Sequence, residues 1–428
     1  MSVTRRQFLG TSAAAVIVAG AASKGRVFGA NDRVRMGVAG IRGRGGSHLA
    51  GFNRCDNSEV VAICDVDRRV LDRRAEWMEN NLGKRPKTYV DMRDMIADDE
   101  VDALAYATPN HWHALGTVWA CDAGKDVFVE KPVSHNHNEG LAVIEAAKRN
   151  NCIVQHGTQA RSEYPWIRFF ERMREGVIGD IYMARALCYK NRDSIGFQPD
   201  EDPPEWLDWT LWQGPARERP FNSNYVHYNW HWFWAYGNGD IGNQGVHQMD
   251  VAIWGMNKGL PSKVYSTGGR YTYEDQAETP NTQIATLKYP DGTMTVFEVR
   301  GRATHDEGGQ KVGNLFYGTG GYSAGTTFYD TSGNEIPDEA TDPKPEWGTG
   351  DNFQDFINAV LSRDENAIHG NALDAHIGCA HIHMANVSYR LRTSLEFDPV
   401  SERFIENDEA NAMLTRDYRP GFEVSQPA

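Results

Sequence analysis

Residues 34–46 read VRMGVAGIRGRGG, an apolar run that passes straight into closely spaced glycines. Read as a buried strand feeding a helix, this stretch gathers Gly37, Gly40, Gly43, Gly45 and Gly46 at one turn. A pyrophosphate needs that arrangement: close backbone approach, and a helix N-terminus aimed at its charge. A second apolar run, VVAICDVD at 60–67, ends in acids, with Asp65 twenty residues after Gly45. An acid there accepts hydrogen bonds from an adenine ribose diol and disfavours a 2′-phosphate. The pattern therefore predicts an NAD site, while Arg68 and Arg69 close by leave NADP open. The expected contacts are Gly40, Arg42, Gly43, Arg44, Gly45 and Asp65. Arg42 stands where the usual GxGxxG pattern has its middle glycine. Either its side chain bulks out the turn, or it points outward and its guanidinium holds phosphate while Gly43 gives the close approach.

Working outward, strand-like and helix-like segments keep alternating. A helical stretch at 69–82 precedes KTYVD, and another at 92–97 precedes VDALAYATP. Helices at 114–123 and 138–149 frame DVFVEKP and lead into CIVQHGTQAR. Six strands with intervening helices predict a doubly wound parallel Rossmann domain over 34–159. The rhythm then changes. DIYMARALCYK, SKVYSTGGRYTY, TQIATLKYP and TMTVFEVRG follow without obligatory helices, and Asp291-Gly292 marks a hairpin. This predicts an α+β domain over 160–428 with a mostly antiparallel, open sheet. An aromatic, weakly periodic insertion at 196–234 suits a lid or site wall. The segments 352–362 and 373–391 carry apolar residues at helical spacing and should pack back on the body.

Composition narrows the partners. With 58 acidic against 44 basic residues and a net charge of -14, no basic footprint for nucleic acid is present. Twelve tryptophans, crowded between Trp206 and Trp254, build either an aromatic wall for sugar rings or ordinary core. Six scattered cysteines, without a CxxC pair, argue against a disulfide or metal framework. Residues 4–10, TRRQFLG, precede an apolar, Ala-rich run at 13–22, which reads as a twin-arginine export signal over 1–30. That run is too short for a stable membrane span. A periplasmic or otherwise exported enzyme that loads and keeps its dinucleotide is the expectation.

Three further motifs bear on chemistry: ATPNHWH at 107–113, Glu130-Lys131-Pro132, and GNGDIGNQGVHQMD at 237–250. Together with the glycine turn they resemble the Gfo/Idh/MocA family, the relatives of glucose-fructose oxidoreductase and inositol dehydrogenase. The resemblance implies hydride transfer between a hydroxyl-bearing carbon of a sugar or polyol and a tightly bound nicotinamide cofactor. It places Lys131 and His247 at the reacting hydroxyl, Lys131 to stabilise alkoxide charge and His247 to take the proton. Family members usually carry Asp where this chain has Asn243. An amide orients but does not titrate, so a proton relay would need Asp240 or Asp250. Thr108, Asn110, His113 and Glu130 are expected beside the cofactor, and Arg161, His231 and Asp240 beside substrate.

His227 and His231 would share a face if helical, but no Glu or Cys nearby completes a ligand set, and no metal is expected. His376, His381 and His383 are read as packing or surface. The alternative function is an NAD-dependent glycosidase or lyase that oxidises a ring carbon transiently and then eliminates. A sugar-binding protein with a structural nucleotide is a third reading, against which intact Lys131 and His247 count. An open antiparallel sheet face also suggests a homo-oligomer.

Overall fold

The structure is a computed structural model that describes residues 33–337 and 348–424. The segment read as an export signal lies outside the described residues. Six strands, β1 (Val34–Ala39), β2 (Ser58–Cys64), β3 (Lys87–Tyr89), β4 (Ala103–Tyr106), β5 (Asp126–Val129) and β6 (Val154–His156), form one sheet in the order β3-β2-β1-β4-β5-β6. Every pairing is parallel. The helices between strands include α1 (Arg44–Arg54), α2 (Arg68–Leu82), α3 (His113–Asp122) and α4 (His137–Asn150). They cover both faces, so β4 and β5 are buried throughout and read as unbroken apolar runs. Local signals set the helix ends. Asp67 caps α2 by accepting from the backbone N–H of Arg69 and Val70, and Gly83, at φ 73°, ends it. Strand order reverses between β1 and β4, which opens a crevice at their carboxyl ends.

After α5 (Tyr164–Arg174) the chain builds a second, ten-stranded sheet. Its strands are β7 (Ile181–Cys188), β10 (Lys263–Gly269), β11 (Thr282–Lys288), β12 (Met294–Arg300), β13 (Val312–Gly318), β14 (Gly321–Ala324), β15 (Thr327–Asp330), β16 (Glu335–Ile336), β17 (Leu395–Asp398) and β18 (Arg403–Phe404). Two short strands, β8 (Asp200–Glu201) and β9 (Phe221–Asn222), pair apart from it. Neighbours in the large sheet run antiparallel, except β7 and β12. The turn between β11 and β12 carries Asp291-Gly292, with Gly292 at φ 88° as a left-handed turn position requires. The longer helices that follow α5 in the second half are α6 (Gly245–Met256), α7 (Asn352–Ser362) and α8 (Ala372–Leu391).

The two sheets share one core. An apolar cluster runs from Tyr106 and Val129 through Ile382 and Ala385 of α8 to Val264 and Phe297 of the second sheet. In sequence α7 follows β16 of the second sheet, yet its Phe353 and Phe356 pack against Phe52 of α1 and Phe128 of β5 in the first half, with Phe128 and Phe353 stacked at 5.2 Å. The chain thus returns to the Rossmann layer, and the crevice lies between halves that cannot slide freely. No helix among the described residues is long and apolar enough to cross a membrane.

Candidate active site

The glycine turn shows why the sequence spaces its glycines as it does. Gly40 sits at φ 77°, and a Cβ there would lie 2.7 Å from the backbone of Ala107 and Thr108. A Cβ on Gly45 would lie 2.0 Å from the Gly40 carbonyl oxygen, so Gly45 lets α1 close on the turn from behind. Gly43, the residue before α1, has nothing within 4 Å of its virtual Cβ and opens on the crevice. No side chain caps α1, which leaves its N-terminal amides directed at an incoming anion. Arg42 is exposed at the crevice rim, with its carbonyl held by Arg74 Nη2 at 2.7 Å. It does not bulk out the turn.

The crevice has a volume of about 460 Å³ and is bordered by Gly40, Arg42, Gly43, Arg44, Asp65, Thr108, Asn110, His113, Glu130, Lys131, His231, Asn243 and His247. Most of the residues expected at the site therefore converge. Asp65 accepts from the Ile41 N–H at 3.0 Å and the Asp67 N–H at 2.9 Å, one bond per carboxylate oxygen, so each keeps acceptor capacity for a diol. Burial pushes its carboxyl up to about 6. Arg44 donates through Nε to Glu130 Oε1 at 2.6 Å, while its Nη2 is buried without a partner, as is Thr108 Oγ1. A ligand supplying an acceptor and a donor here would satisfy both atoms, and together with the glycine clearances the site fits a dinucleotide.

The aromatic insertion proves to be both wall and core. Trp212, Tyr228 and Trp230 face the crevice, while Trp209, Phe221, Tyr225 and Tyr236 form a cluster behind them. It reaches across to the end of β2. The Asp208 N–H donates to the Val66 carbonyl and the Arg68 N–H to the Trp206 carbonyl, each at 3.0 Å. The Arg69 guanidinium lies 3.3 Å from the Trp206 ring centroid, and His227 Nε2 meets Asp67 Oδ2 at 3.0 Å. Arg69 is thereby engaged with Trp206 and with Asp67. His231 lies in a short 3₁₀ turn, Asn229–Trp232, and His227 lies before it in a turn, so the two do not share an α-helix. His231 Nδ1 faces the Tyr228 carbonyl at 2.5 Å, and its ring stacks on Trp230 at 3.6 Å.

At the other end, Lys131 Nζ donates to the backbone carbonyl of Asn243 at 2.6 Å. Burial lowers the Lys131 pKa from the usual lysine value. His247, in the first turn of α6, has no hydrogen-bond partner among the described residues; burial first and the Lys131 charge second press its pKa down to about 3. Its imidazole is neutral at pH 7 and able to accept a proton. Glu130 anchors the strand end beside Lys131. Burial opposes its charge, but His48 and Arg44 outweigh that and hold its carboxyl well below the carboxylate range. Asn243 offers its backbone to Lys131 and its side-chain amide to the Tyr228 hydroxyl at 3.3 Å.

Several expectations need correcting. Arg161 does not border the crevice; its Nε and Nη2 grip Asp250 at 2.8–3.0 Å, and Nη1 faces Asp374 at 3.4 Å. Asp240 is 2% exposed and held by Arg192 at 2.7 and 3.1 Å, so it does not face substrate in the crevice. With Asp240 and Asp250 both neutralised by arginines, neither serves as the relay acid. His113 borders the crevice, but both ring nitrogens face carbonyls, Pro132 O at 2.6 Å and Thr108 O at 2.8 Å. It ties the Lys131 loop to the β4 turn instead of meeting a nicotinamide. Asn110 donates to Asn238 Oδ1 at 3.1 Å, linking the two halves. Sequence reading missed Tyr228 and Gln159 on the crevice wall. The aromatic density of YVHYNWHW, at 225–232, is the signal that points to Tyr228. His376, His381 and His383 are buried away from the crevice, as packing requires, and all six cysteines are buried and free.

Known proteins agree with this geometry. Residues 34–158 match the oxidoreductase-family model for an NAD-binding Rossmann fold, and residues 193–424 match that family's C-terminal alpha/beta domain. A glycosyl hydrolase family 109 protein of Shewanella baltica (strain OS155 / ATCC BAA-1091) is 30% identical over 161 residues, covering 36% of this chain and 35% of that protein. One from Shewanella pealeana (strain ATCC 700345 / ANG-SQ1) is 28% identical over 212 residues, 44% of this chain and 46% of its own. The matched stretch thus spans less than half the length of these curated relatives. Among solved structures, the WlbA dehydrogenase of Bordetella pertussis, in complex with NADH and UDP-GlcNAcA, is similar with a TM-score of 0.64 at 19% identity, over 86% of this chain and 99% of that one. The scyllo-inositol dehydrogenase of Lactobacillus casei, with NAD(H) and scyllo-inositol bound, gives 0.61 at 20% identity, over 85% and 99%. With both halves matched by the family's models and a crevice shaped for the dinucleotide between them, the chain belongs to the Gfo/Idh/MocA oxidoreductase family and carries its NAD-binding Rossmann domain.

Proposed function

We propose that the protein transfers hydride between a hydroxyl-bearing carbon of a sugar or polyol and NAD held in the crevice. The observation that carries this is the convergence of Lys131 and His247, from different halves of the chain, on the cavity that the glycine turn and Asp65 border. Bound NAD would supply the hydride acceptor. The chain's own residues do the rest. The neutral His247 imidazole takes the hydroxyl proton, and Lys131, oriented by the Asn243 carbonyl, offers positive charge to the developing alkoxide. Trp212 and Trp230 present apolar faces suited to a sugar ring, and the contacts from Trp206, Asp208 and His227 to the end of β2 favour a nucleotide that stays bound. These contacts suit export of a loaded enzyme by the twin-arginine route. Exposed Tyr265 and Ile284 on the large sheet support assembly into a homo-oligomer.

A second reading has its own support. The curated relatives are named as glycosyl hydrolase family 109 proteins, and Asn243 removes the titrating acid at its position. In that reading oxidation at a ring carbon is transient: it acidifies the neighbouring C–H, that proton and the aglycone leave by elimination, water adds across the double bond so formed, and the hydride returns to the sugar carbonyl. The two are separated by incubating purified protein, with no NAD added, with aryl glycosides and, in parallel, with free sugars plus excess NAD. Net NADH from free sugars is the expected result; aglycone release without net NADH would replace it with the glycosidase reading.

A further inference from the structure

Behind the crevice, on the far side of the Lys131 loop, three elements meet at a group of side chains that the proposed chemistry leaves unused. His137 is the first residue of α4, His376 lies in the first turns of α8, and Glu402 lies in the turn between β17 and β18. One ligand atom from each falls within 4.8 Å of the other two. Glu402 Oε2 stands 2.8 Å from His137 Nε2 and 2.8 Å from His376 Nε2. The two rings meet edge to face at 4.9 Å.

Three features separate this group from ordinary packing. First, His137 is 0% exposed, and neither of its nitrogens has an aligned hydrogen-bond partner; Nε2 is near Glu402 but is not pointed at it as a donor would be. A buried imidazole left so is costly, and a ligand at that nitrogen would remove the cost. Second, Glu402 adopts φ 54°, a left-handed conformation that a glycine or asparagine would take more cheaply. That conformation delivers its carboxylate to the two rings. Third, Gly140 on α4 makes room for His376, since a Cβ there would lie 2.3 Å from His376 Nδ1.

We propose that His137, His376 and Glu402 form a structural site for a zinc-class divalent ion. Two imidazoles and a carboxylate are a nitrogen and oxygen set that Zn²⁺ accepts, with solvent completing the tetrahedron on the open side of Glu402. Ligand atoms of a tetrahedral zinc at ~2.0–2.1 Å stand ~3.3 Å apart, so Glu402 would withdraw by ~0.5 Å. Its partly exposed side chain can make that movement, whereas the buried rings stay. The ion would pin the start of α4, six residues after Lys131, to α8 and to the β17–β18 turn. It would act as a clip at the back of the site, outside the chemistry.

The test uses the full chain, stripped with a chelator and reloaded with Zn²⁺ or Co²⁺ alone. The expected result is one ion per chain after dialysis, a melting temperature raised by several degrees, and visible cobalt absorption of a four-coordinate site. X-ray absorption of the zinc-loaded protein should show two imidazoles in the first sphere. Glu402→Gln should lower affinity for the ion by about 10-fold or more, with bound nucleotide unchanged. Substoichiometric metal, a coordination sphere with fewer than two imidazoles, or unaltered affinity in Glu402→Gln would each overturn the assignment. The wild-type spectroscopy decides even if that variant folds poorly.

Discussion

One helix, α6, carries two polar residues that obey opposite rules. His247 faces the crevice with no hydrogen-bond partner among the described residues, whereas Asp250, three positions on, is buried and gripped at both oxygens by Arg161. The same contrast holds across the site: Lys131 leans on a single carbonyl, while Asp240 is closed by Arg192. The groups that the proposed chemistry assigns to substrate keep unused hydrogen-bonding capacity. The buried acids that tie elements of the second half to one another are fully paired, because an unpaired buried charge is expensive. Position in a motif does not say which rule applies; the partner does.

The sharpest way to break this contrast is to remove the open side. Lys131→Ala and His247→Ala should each lower turnover by about 10²–10⁴-fold, with nucleotide occupancy and melting temperature close to wild type. Turnover within a few-fold of wild type would void the assignment. Lys131 also gives a pH signature. Its folded pKa lies below the ordinary lysine value, so rate that depends on its ammonium is lost as pH rises through a value below the ordinary lysine range. A kcat/KM profile flat to pH 10.5 would contradict that role.

Next comes the paired side. Asp250→Asn leaves Arg161 with the His369 carbonyl at 2.7 Å and with Asp374, at 3.4 Å, as its remaining carboxylate, and should destabilise the fold by about 3–5 kcal/mol in denaturant unfolding. Any loss of activity in that variant should track loss of folded protein. A normal stability with selectively lost turnover would move Asp250 to the chemical side of the comparison. Asn243→Ala is a milder probe. Lys131 is held by the backbone there and only the Tyr228 contact is lost, so the expected change is about 1 kcal/mol, or roughly fivefold in kcat/KM. A drop as large as that of Lys131→Ala would show that the amide itself takes part. The smallest effect is expected for Trp206→Ala, which removes the solvent-screened cation–π contact with Arg69 and should speed nucleotide release by about a few-fold in a stopped dilution assay.

Much of the Rossmann half was legible because its signals are local. Gly40 is required by a positive φ, Asp65 by its place at a strand end, and β4 and β5 by unbroken apolar runs between helices. Such features depend on neighbours within a few residues, and short-range sterics write them into the sequence. The reading failed where a partner is remote. Arg192 lies 48 residues from Asp240 and Arg161 lies 89 from Asp250, and nothing near either acid announces the arginine that closes it.

The amino-acid sequence by itself determined the strand–turn–helix alternation, the dinucleotide turn and the family motifs, since backbone conformation and burial period are set residue by residue. Tertiary structure alone decided that α7 returns to the first sheet, that the aromatic insertion wraps the end of β2, and which charged residues stay open. Those outcomes depend on which surfaces meet when two sheets share one core, a pairing of distant segments that no local pattern encodes.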